Sequence, residues 1–260
     1  VAPAVTDRRH GGPGGAKAGT KAGGRGQAVR VKTARRRRPS STRWLERQLN
    51  DPYVADARRL GLRSRAAFKL LQLDERFNLL SPGKRVVDLG AAPGGWTQIA
   101  IARVALPASA KASAGPPSIA RRATEGRVVA IDLSPMDPVP GAIVLQRDVR
   151  DADTIAAIRE ALGGPADLVL SDMAPPATGH AQTDHLRIVA LAELAYDSAV
   201  ELLAPGGDFV CKVLQGGAQG DLLAALKRDF TTVRHVKPPA SRTDSAEVYL
   251  IAQGFRRPPA

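Results

Sequence analysis

Cys211 is the only cysteine among 260 residues. No internal disulfide can form, which suits a reducing compartment and leaves stability to packing. Set in an apolar run, the thiol reads as a buried structural group. The four histidines (His10, His180, His185, His235) lack metal-ligand spacing, so no metal site is expected. Uninterrupted apolar runs of 18 residues are absent, and no membrane span or membrane partner is expected. The N-terminal residues contain no apolar segment of the secretory kind, and the expected location is cytoplasmic. Aromatic residues make up 4%, too few for single-strand binding through extensive stacking platforms.

Acidic residues are scarce in one region only. Residues 1–38 hold eleven Lys/Arg against Asp7, whereas the remaining 222 residues hold 27 Lys/Arg against 24 Asp/Glu. The formal charge of +13 is therefore mostly a property of the tail. Rich in Gly, Ala, Lys and Arg, and ending in Arg35-Arg36-Arg37-Arg38, residues 1–38 cannot bury enough surface to offset the entropy of ordering. They are predicted to be a disordered basic tail. Three roles fit it: a polycation with sequence-independent affinity for phosphates, a solubilising extension, or an Arg-rich transit peptide.

Helical periodicity begins at Ser40, with amphipathic segments marked by Trp44, Leu45 and Leu49, then Val54, Ala57 and Leu60. A third, Phe68 to Leu73, follows the cap-like Ser64-Arg65. The arginines among them (Arg43, Arg47, Arg58, Arg59, Arg63, Arg65) read either as a solvated face or as a phosphate-contacting ledge. Strands then alternate with helices. The predicted strands are Arg85–Leu89, Val128–Leu133, Ile143–Val149, Leu168–Asp172, Asp208–Leu214, Thr232–Val236 and Glu247–Gln253. The predicted helices are Gly95–Val104, Asp151–Leu162, Asp184–Leu203 and Gly220–Phe230. This order implies an α/β fold: a seven-stranded, mainly parallel sheet covered by helices on both faces, with one antiparallel pairing at its end. The domain is expected over residues 39–256. Residues 105–125, Pro- and Ala-rich from Pro107 to Glu125, are predicted to be a low-complexity insertion loop.

Val86-Val87-Asp88-Leu89-Gly90-Ala91-Ala92-Pro93-Gly94-Gly95-Trp96 reads as a buried strand, a small-residue turn and a helix start. Such a turn lets main-chain amides approach a ligand at the mouth of a parallel sheet. It is not the G-x-G-x-x-G dinucleotide fingerprint. Asp88, Asp132 and Asp148 fall near three successive strand ends. Asp132 is placed to bind ribose hydroxyls, and Asp148 to accept from an adenine amine. Any one of them reads equally as a strand-end cap; together they suit a nucleoside without phosphates, such as S-adenosylmethionine, better than NAD.

Charge inside apolar strands is the sharper signal. Lys212 interrupts Phe209-Val210-Cys211-Lys212-Val213-Leu214, Glu247 precedes Val248-Tyr249-Leu250-Ile251, Asp172 ends Leu168-Val169-Leu170-Ser171, and Lys69 sits in Phe68-Lys69-Leu70-Leu71. Each alone reads as a sheet-end residue or one that snorkels to solvent. Burying four unpaired charges is costly, so they are expected to meet. A Lys–Asp–Lys–Glu cluster has a use: a desolvated lysine beside a second cation can act as base toward a ribose 2′-hydroxyl.

Ser64-Arg65-Ala66-Ala67-Phe68-Lys69-Leu70, the Asp88–Trp96 turn, Ser171-Asp172-Met173-Ala174-Pro175, Lys212-Val213-Leu214-Gln215-Gly216 and Ser241-Arg242-Thr243-Asp244-Ser245-Ala246-Glu247-Val248-Tyr249 resemble the FtsJ/RrmJ (RlmE-type) family of S-adenosylmethionine-dependent RNA 2′-O-methyltransferases. The resemblance covers roughly residues 40–255. It implies a Lys69–Asp172–Lys212–Glu247 tetrad with Lys212 as proton acceptor, and cofactor contacts at Gly94, Trp96, Asp132, Asp148 and Asp172. Within the family the chain most resembles the bacterial enzymes that methylate a uridine ribose in the A loop of 23S rRNA, in the 50S subunit. Phe68, Pro176 and Leu214 depart from its common tyrosine, asparagine and phenylalanine. A tRNA ribose methyltransferase would share the fold and the tetrad; a non-catalytic ribosome assembly factor would be expected to have a broken tetrad. A base N-methyltransferase would carry an aromatic in Asp172-Met173-Ala174-Pro175-Pro176, which has none.

Overall fold

Val86, Val87 and Leu89 give β1 (Arg85–Leu89) the stiff, apolar side chains that favour a strand buried on both faces. It lies inside a seven-stranded sheet with β2 (Arg127–Asp132), β3 (Ala142–Gln146), β4 (Ala166–Ser171), β5 (Leu203–Leu214), β6 (Phe230–Val236) and β7 (Glu247–Phe255), in the order β3-β2-β1-β4-β5-β7-β6. The computed structural model describes Thr33 and residues 39–105, 126–176, 178–216 and 220–256. The predicted basic tail and the 105–125 insertion lie, Thr33 and Ala105 apart, outside the described residues. The chain divides into two compact units, Val1–Glu46 and Arg47–Ala260, and the sheet belongs to the second.

Pairings among β1 to β5 are parallel. β7 runs antiparallel to both β5 and β6 and separates them, so the expected antiparallel end contains two such pairings. Helices α1 (Pro39–Leu49), α2 (Pro52–Arg59) and α3 (Ala66–Phe77) precede the sheet in sequence. Then come α4 (Gly95–Val104), α5 (Thr154–Leu162), α6 (Ala181–Leu202) and α7 (Gly220–Asp229).

Alternation along each strand divides the core in two. Val87, Leu89, Phe209, Cys211 and Leu250 pack with α5, α6 and α7 through Ile158, Ala195, Leu202 and Leu226. Val86, Leu170, Val210, Tyr249 and Ile251 pack with α3 and α4 through Leu70, Leu73, Trp96 and Ala100. The Cys211 thiol is buried, as expected, and burial pushes its pKa up.

Boundaries differ from the sequence reading where local side chains compete with periodicity. β3 stops at Gln146, because Asp148 opens a turn whose carbonyl accepts from the Asp151 amide (3.2 Å) and the Thr154 hydroxyl (2.7 Å). The same turn delays α5 to Thr154. β5 begins five residues early, at Leu203, with a register shift opposite Ala166 to Leu168 that absorbs Pro205 and Gly206. α6 starts three residues earlier than predicted. α3 has no side-chain cap, and a Cβ on Gly95 would sit 2.2 Å from the Ser64 hydroxyl that the sequence reading assigned to capping.

Candidate active site

Strand order reverses between β2–β1 and β4, and a cavity of about 730 Å³ opens there at the strands' carboxyl ends. Gly90 makes it possible. Its φ of +73° suits a residue without Cβ, and a Cβ there would lie 2.4 Å from the Met173 Cγ. Gly90 and Ala91 amides both donate to the Ile131 carbonyl (2.8 and 3.0 Å), which ties the turn to β2. Asp132 tightens the same junction, accepting from the Ala92 amide (2.9 Å) and the Ser134 amide (2.7 Å). Each carboxylate oxygen keeps lone-pair capacity beyond one bond, so Asp132 can still accept from a ligand hydroxyl.

Asp148, in the turn beyond β3, reaches the same cavity. Arg150 grips it through a two-pronged contact of 3.0 and 2.5 Å, and these hydrogen bonds hold its carboxyl below the usual range. Leu89, Ile131, Leu133, Val149 and Met173 give the cavity apolar walls. Apolar walls with Asp132, Asp148 and Asp172 in the lining fit a nucleoside carrying an aliphatic arm, and the volume is within the range of small-ligand sites.

Not every anticipated contact lines this cavity. Gly94 precedes α4 with φ +105°, where a Cβ would meet Arg63 Nη1, Met136 Sδ and Val139 Cγ2 at 3.0–3.1 Å. Trp96 is buried, donates its indole N–H to the Ala66 carbonyl (2.8 Å) and packs 5.6 Å from the Tyr249 ring. Both lie outside the cavity lining. Asp88 also turns away, toward α4, where it accepts from the Thr97 hydroxyl (2.7 Å) while its second oxygen has no partner. Burial pushes its pKa up to about 7; the Thr97 bond opposes this, and the Asp172 and Asp132 charges add to it.

The four anticipated charges do meet, and a fifth group joins them. Lys212 Nζ lies 3.0 Å from Asp172 Oδ1 and donates to the Asp172 carbonyl at 2.7 Å. Tyr249, directly opposite Lys212 in the β5–β7 register, donates its hydroxyl to Asp172 Oδ1 at 2.7 Å. Lys69 Nζ, from α3, donates to the Tyr249 oxygen and to Glu247 Oε2, both at 3.0 Å. The contacts thus run Lys212, Asp172, Tyr249, Lys69, Glu247. Burial pushes the Asp172 carboxyl up, but the two ammoniums and the Tyr249 and Lys212 hydrogen bonds outweigh it and hold the pKa below the usual range. Burial, then the Asp172 charge, push the Tyr249 phenol well above its usual value, so it stays a donor.

Sequence reasoning missed Tyr249, since a tyrosine in a buried strand is ordinary. Its two-residue spacing from Glu247, which puts both on one face, was the available signal.

Asp172 lines the first cavity, whereas Lys69 and Glu247 line a second of about 350 Å³, shared with Arg47, Arg65, Arg242 and Asp244. Lys212, with 5% of its side chain exposed, lines neither and is reached through Asp172. The polar chain therefore joins a pocket suited to a nucleoside to one rich in cations.

The chain is similar to known methyltransferases in sequence and fold. The family model described as FtsJ-like methyltransferase matches residues 62–255. Curated relatives named ribosomal RNA large subunit methyltransferase E include one from Paramagnetospirillum magneticum, 58% identical over 92% of each chain. Another, from Parvibaculum lavamentivorans, is 57% identical over 92% of this chain and 91% of its own. Among solved structures, one titled as a ribosomal RNA methyltransferase from Plasmodium falciparum matches with a TM-score of 0.60 and 27% identity, over 74% of this chain and 98% of its own.

Proposed function

Because the chain belongs to the FtsJ-like methyltransferase family, we propose that it methylates a ribose 2′-hydroxyl of large-subunit ribosomal RNA. The finer reading is a uridine in the A loop of 23S rRNA within the 50S subunit. Residues 39–256 act as the methyltransferase domain in the cytoplasm, and the basic tail 1–38 adds affinity for phosphates. The observation that carries the reading is the continuous chain of contacts from Lys212 through Asp172 and Tyr249 to Lys69 and Glu247. The names of the relatives favour ribosomal RNA over transfer RNA.

The first cavity would hold S-adenosylmethionine, with Asp132 at the ribose hydroxyls, Asp148 near the adenine and Asp172 toward the amino acid end. Gly94 and Trp96 are proposed to contribute through the main chain at the start of α4, since the Trp96 indole is committed to Ala66. When bound, the cofactor supplies an electrophilic methyl on a sulfonium. The protein's part is to orient the hydroxyl and to take its proton at Lys212 Nζ. A neutral amine has two N–H groups and one lone pair. To act as the base, Lys212 must first give up the ammonium proton it holds in its ion pair with Asp172; the Asp172 carbonyl and carboxylate then engage both remaining N–H groups and leave the lone pair for the hydroxyl proton. Lys69, Glu247 and Tyr249 fix Asp172, and through it Lys212. Positioning of this kind supplies much of the rate when a transfer needs in-line approach.

The test is transfer of labelled methyl to unmodified 50S subunits, free 23S rRNA and bulk tRNA, by wild type and Lys212→Ala, with the product nucleotide mapped. Ribose methylation of subunits, lost in Lys212→Ala, is expected. Methylation of tRNA alone would sink the ribosomal reading and keep the chemistry.

A further inference from the structure

The second cavity adjoins Lys69 and Glu247 and is lined by four cations against two acids. Both acids are engaged: Glu247 by Lys69 at 3.0 Å, and Asp244 by Arg47 at 3.7 Å. Arg65 and Arg242 share one counter-ion behind the wall, Asp51, whose side chain is 7% exposed. Asp51 Oδ1 caps α2 by accepting from the Tyr53 amide, so Oδ2 serves both guanidiniums, at 3.1 Å from Arg65 Nε and 3.4 Å from Arg242 Nη2. Two guanidiniums on one carboxylate leave a unit of positive charge at a partly buried place.

That geometry is fixed from three sides. Arg65 Nη2 donates to the Ala240 carbonyl, and its guanidinium lies 5.9 Å from the centre of the Tyr53 ring. Gln72 joins the Tyr53 hydroxyl (3.3 Å) to the Ala240 amide (2.7 Å). The loop bearing Arg242 is thereby tied to α2 and α3. Guanidiniums carry five donors each in a rigid fork, and most of the ten here are not spent on Asp51. A tetrahedral, singly charged oxyanion fits such a paired fork. Arg65 also precedes Lys69 by four residues, one helical turn on the same face. An anion held at Arg65 therefore sits close enough to Lys69 for both to engage neighbouring parts of one strand.

We propose that Arg65 and Arg242, held as a pair by the Asp51 carboxylate, bind a backbone phosphate of the RNA strand beside the target ribose, with Asp51 as a positioning residue. This rests on RNA being the substrate. Capping alone does not require the acid at residue 51, since asparagine caps a helix as well as aspartate. Holding two arginines does.

The experiment uses the full chain and unmodified 23S rRNA as probe. RNA affinity is measured across a salt series, alongside S-adenosylmethionine affinity, kcat and KM. Arg242→Gln and Arg65→Gln are each expected to weaken RNA binding about tenfold and to lower the slope of log affinity against log salt by about one, with cofactor affinity unchanged. Asp51→Asn keeps the cap and both cations. Because it removes the one negative charge they share, RNA affinity and salt slope are expected not to fall, while kcat falls about tenfold, a split that loss of a phosphate contact would not produce. Wild-type slope and affinity in both arginine variants would overturn the phosphate assignment. Wild-type kcat in Asp51→Asn would overturn the positioning role. A wild type that methylates no RNA ribose would overturn the functional reading itself, whatever the variants do.

Discussion

Cys211 and Lys212 are neighbours in β5 that project to opposite faces of the sheet, and the two faces differ in kind. The Cys211 face, against α5, α6 and α7, is packed with Phe209, Phe230, Leu222 and Leu226 around a thiol that burial keeps inert. The Lys212 face, against α3 and α4, is apolar toward the amino ends of the strands and turns polar toward the carboxyl end of β4. The Cys211 face also lends Leu89 and Ile131 to the walls of the first cavity, but its contribution there is apolar. The other spends part of its burial on groups that need partners, and it can therefore do chemistry.

The sharpest way to break this contrast is Lys212→Ala. Turnover should fall by about 10²- to 10⁴-fold, the usual worth of a positioned base, with cofactor binding retained. Wild-type turnover would put the proton acceptor elsewhere. Tyr249→Phe removes only an oxygen, but that oxygen donates to Asp172 and accepts from Lys69. The expected costs are about tenfold in kcat and about 1–3 kcal/mol in denaturant unfolding. An unchanged kcat would reduce the phenol to packing.

Asp88→Asn tests the same face by pH. Burial raises Asp88 from 3.8 to about 7, so between these values the native protein holds a proton that the unfolded chain has released. Its contribution to stability is full below the unfolded value and is lost as pH rises toward 7, by up to about 1.4 kcal/mol per pH unit. The variant should therefore gain on wild type across that window and no further above it. A pH-independent difference would mean that Asp88 is ionised throughout. Smallest of all, Cys211→Ala should leave methyl transfer unchanged and cost about 1 kcal/mol, because it opens a small void in the inert face.

The tetrad was legible because a lysine or a glutamate in an apolar strand is anomalous, and the anomaly points to a partner even when the partner is far away in sequence. Asp132 was legible by its place at a strand end, and Asp148 by a similar argument although its strand stops two residues earlier. Residues whose type is ordinary for their element stayed hidden. Tyr249 is an ordinary residue for a buried strand, and Asp51, which drew no reading from the sequence, is an ordinary helix cap. The Asp51–Arg65–Arg242 cluster joins the start of one helix, the start of the next and a loop almost two hundred residues on. Arginines spaced along a helix give no sign of which of them the fold will draw together. Asp88 shows the converse: its strand-end position suggested a ligand, but the strand's alternation turned it into the protein.

The position of β7 between β5 and β6 has a consequence for biosynthesis. The last described strand to leave the ribosome is the one that brings Glu247 and Tyr249 to Lys69 and Asp172. A nascent chain arrested before Glu247 would hold the cofactor-side strands complete, yet have β5 and β6 with unpaired edges and Asp172 and Lys69 without their bridge. Such a fragment would be prone to edge-to-edge association, which marks it for removal. On the proposed mechanism, assembly of the polar chain and completion of the described sheet are one event in the life of the polypeptide.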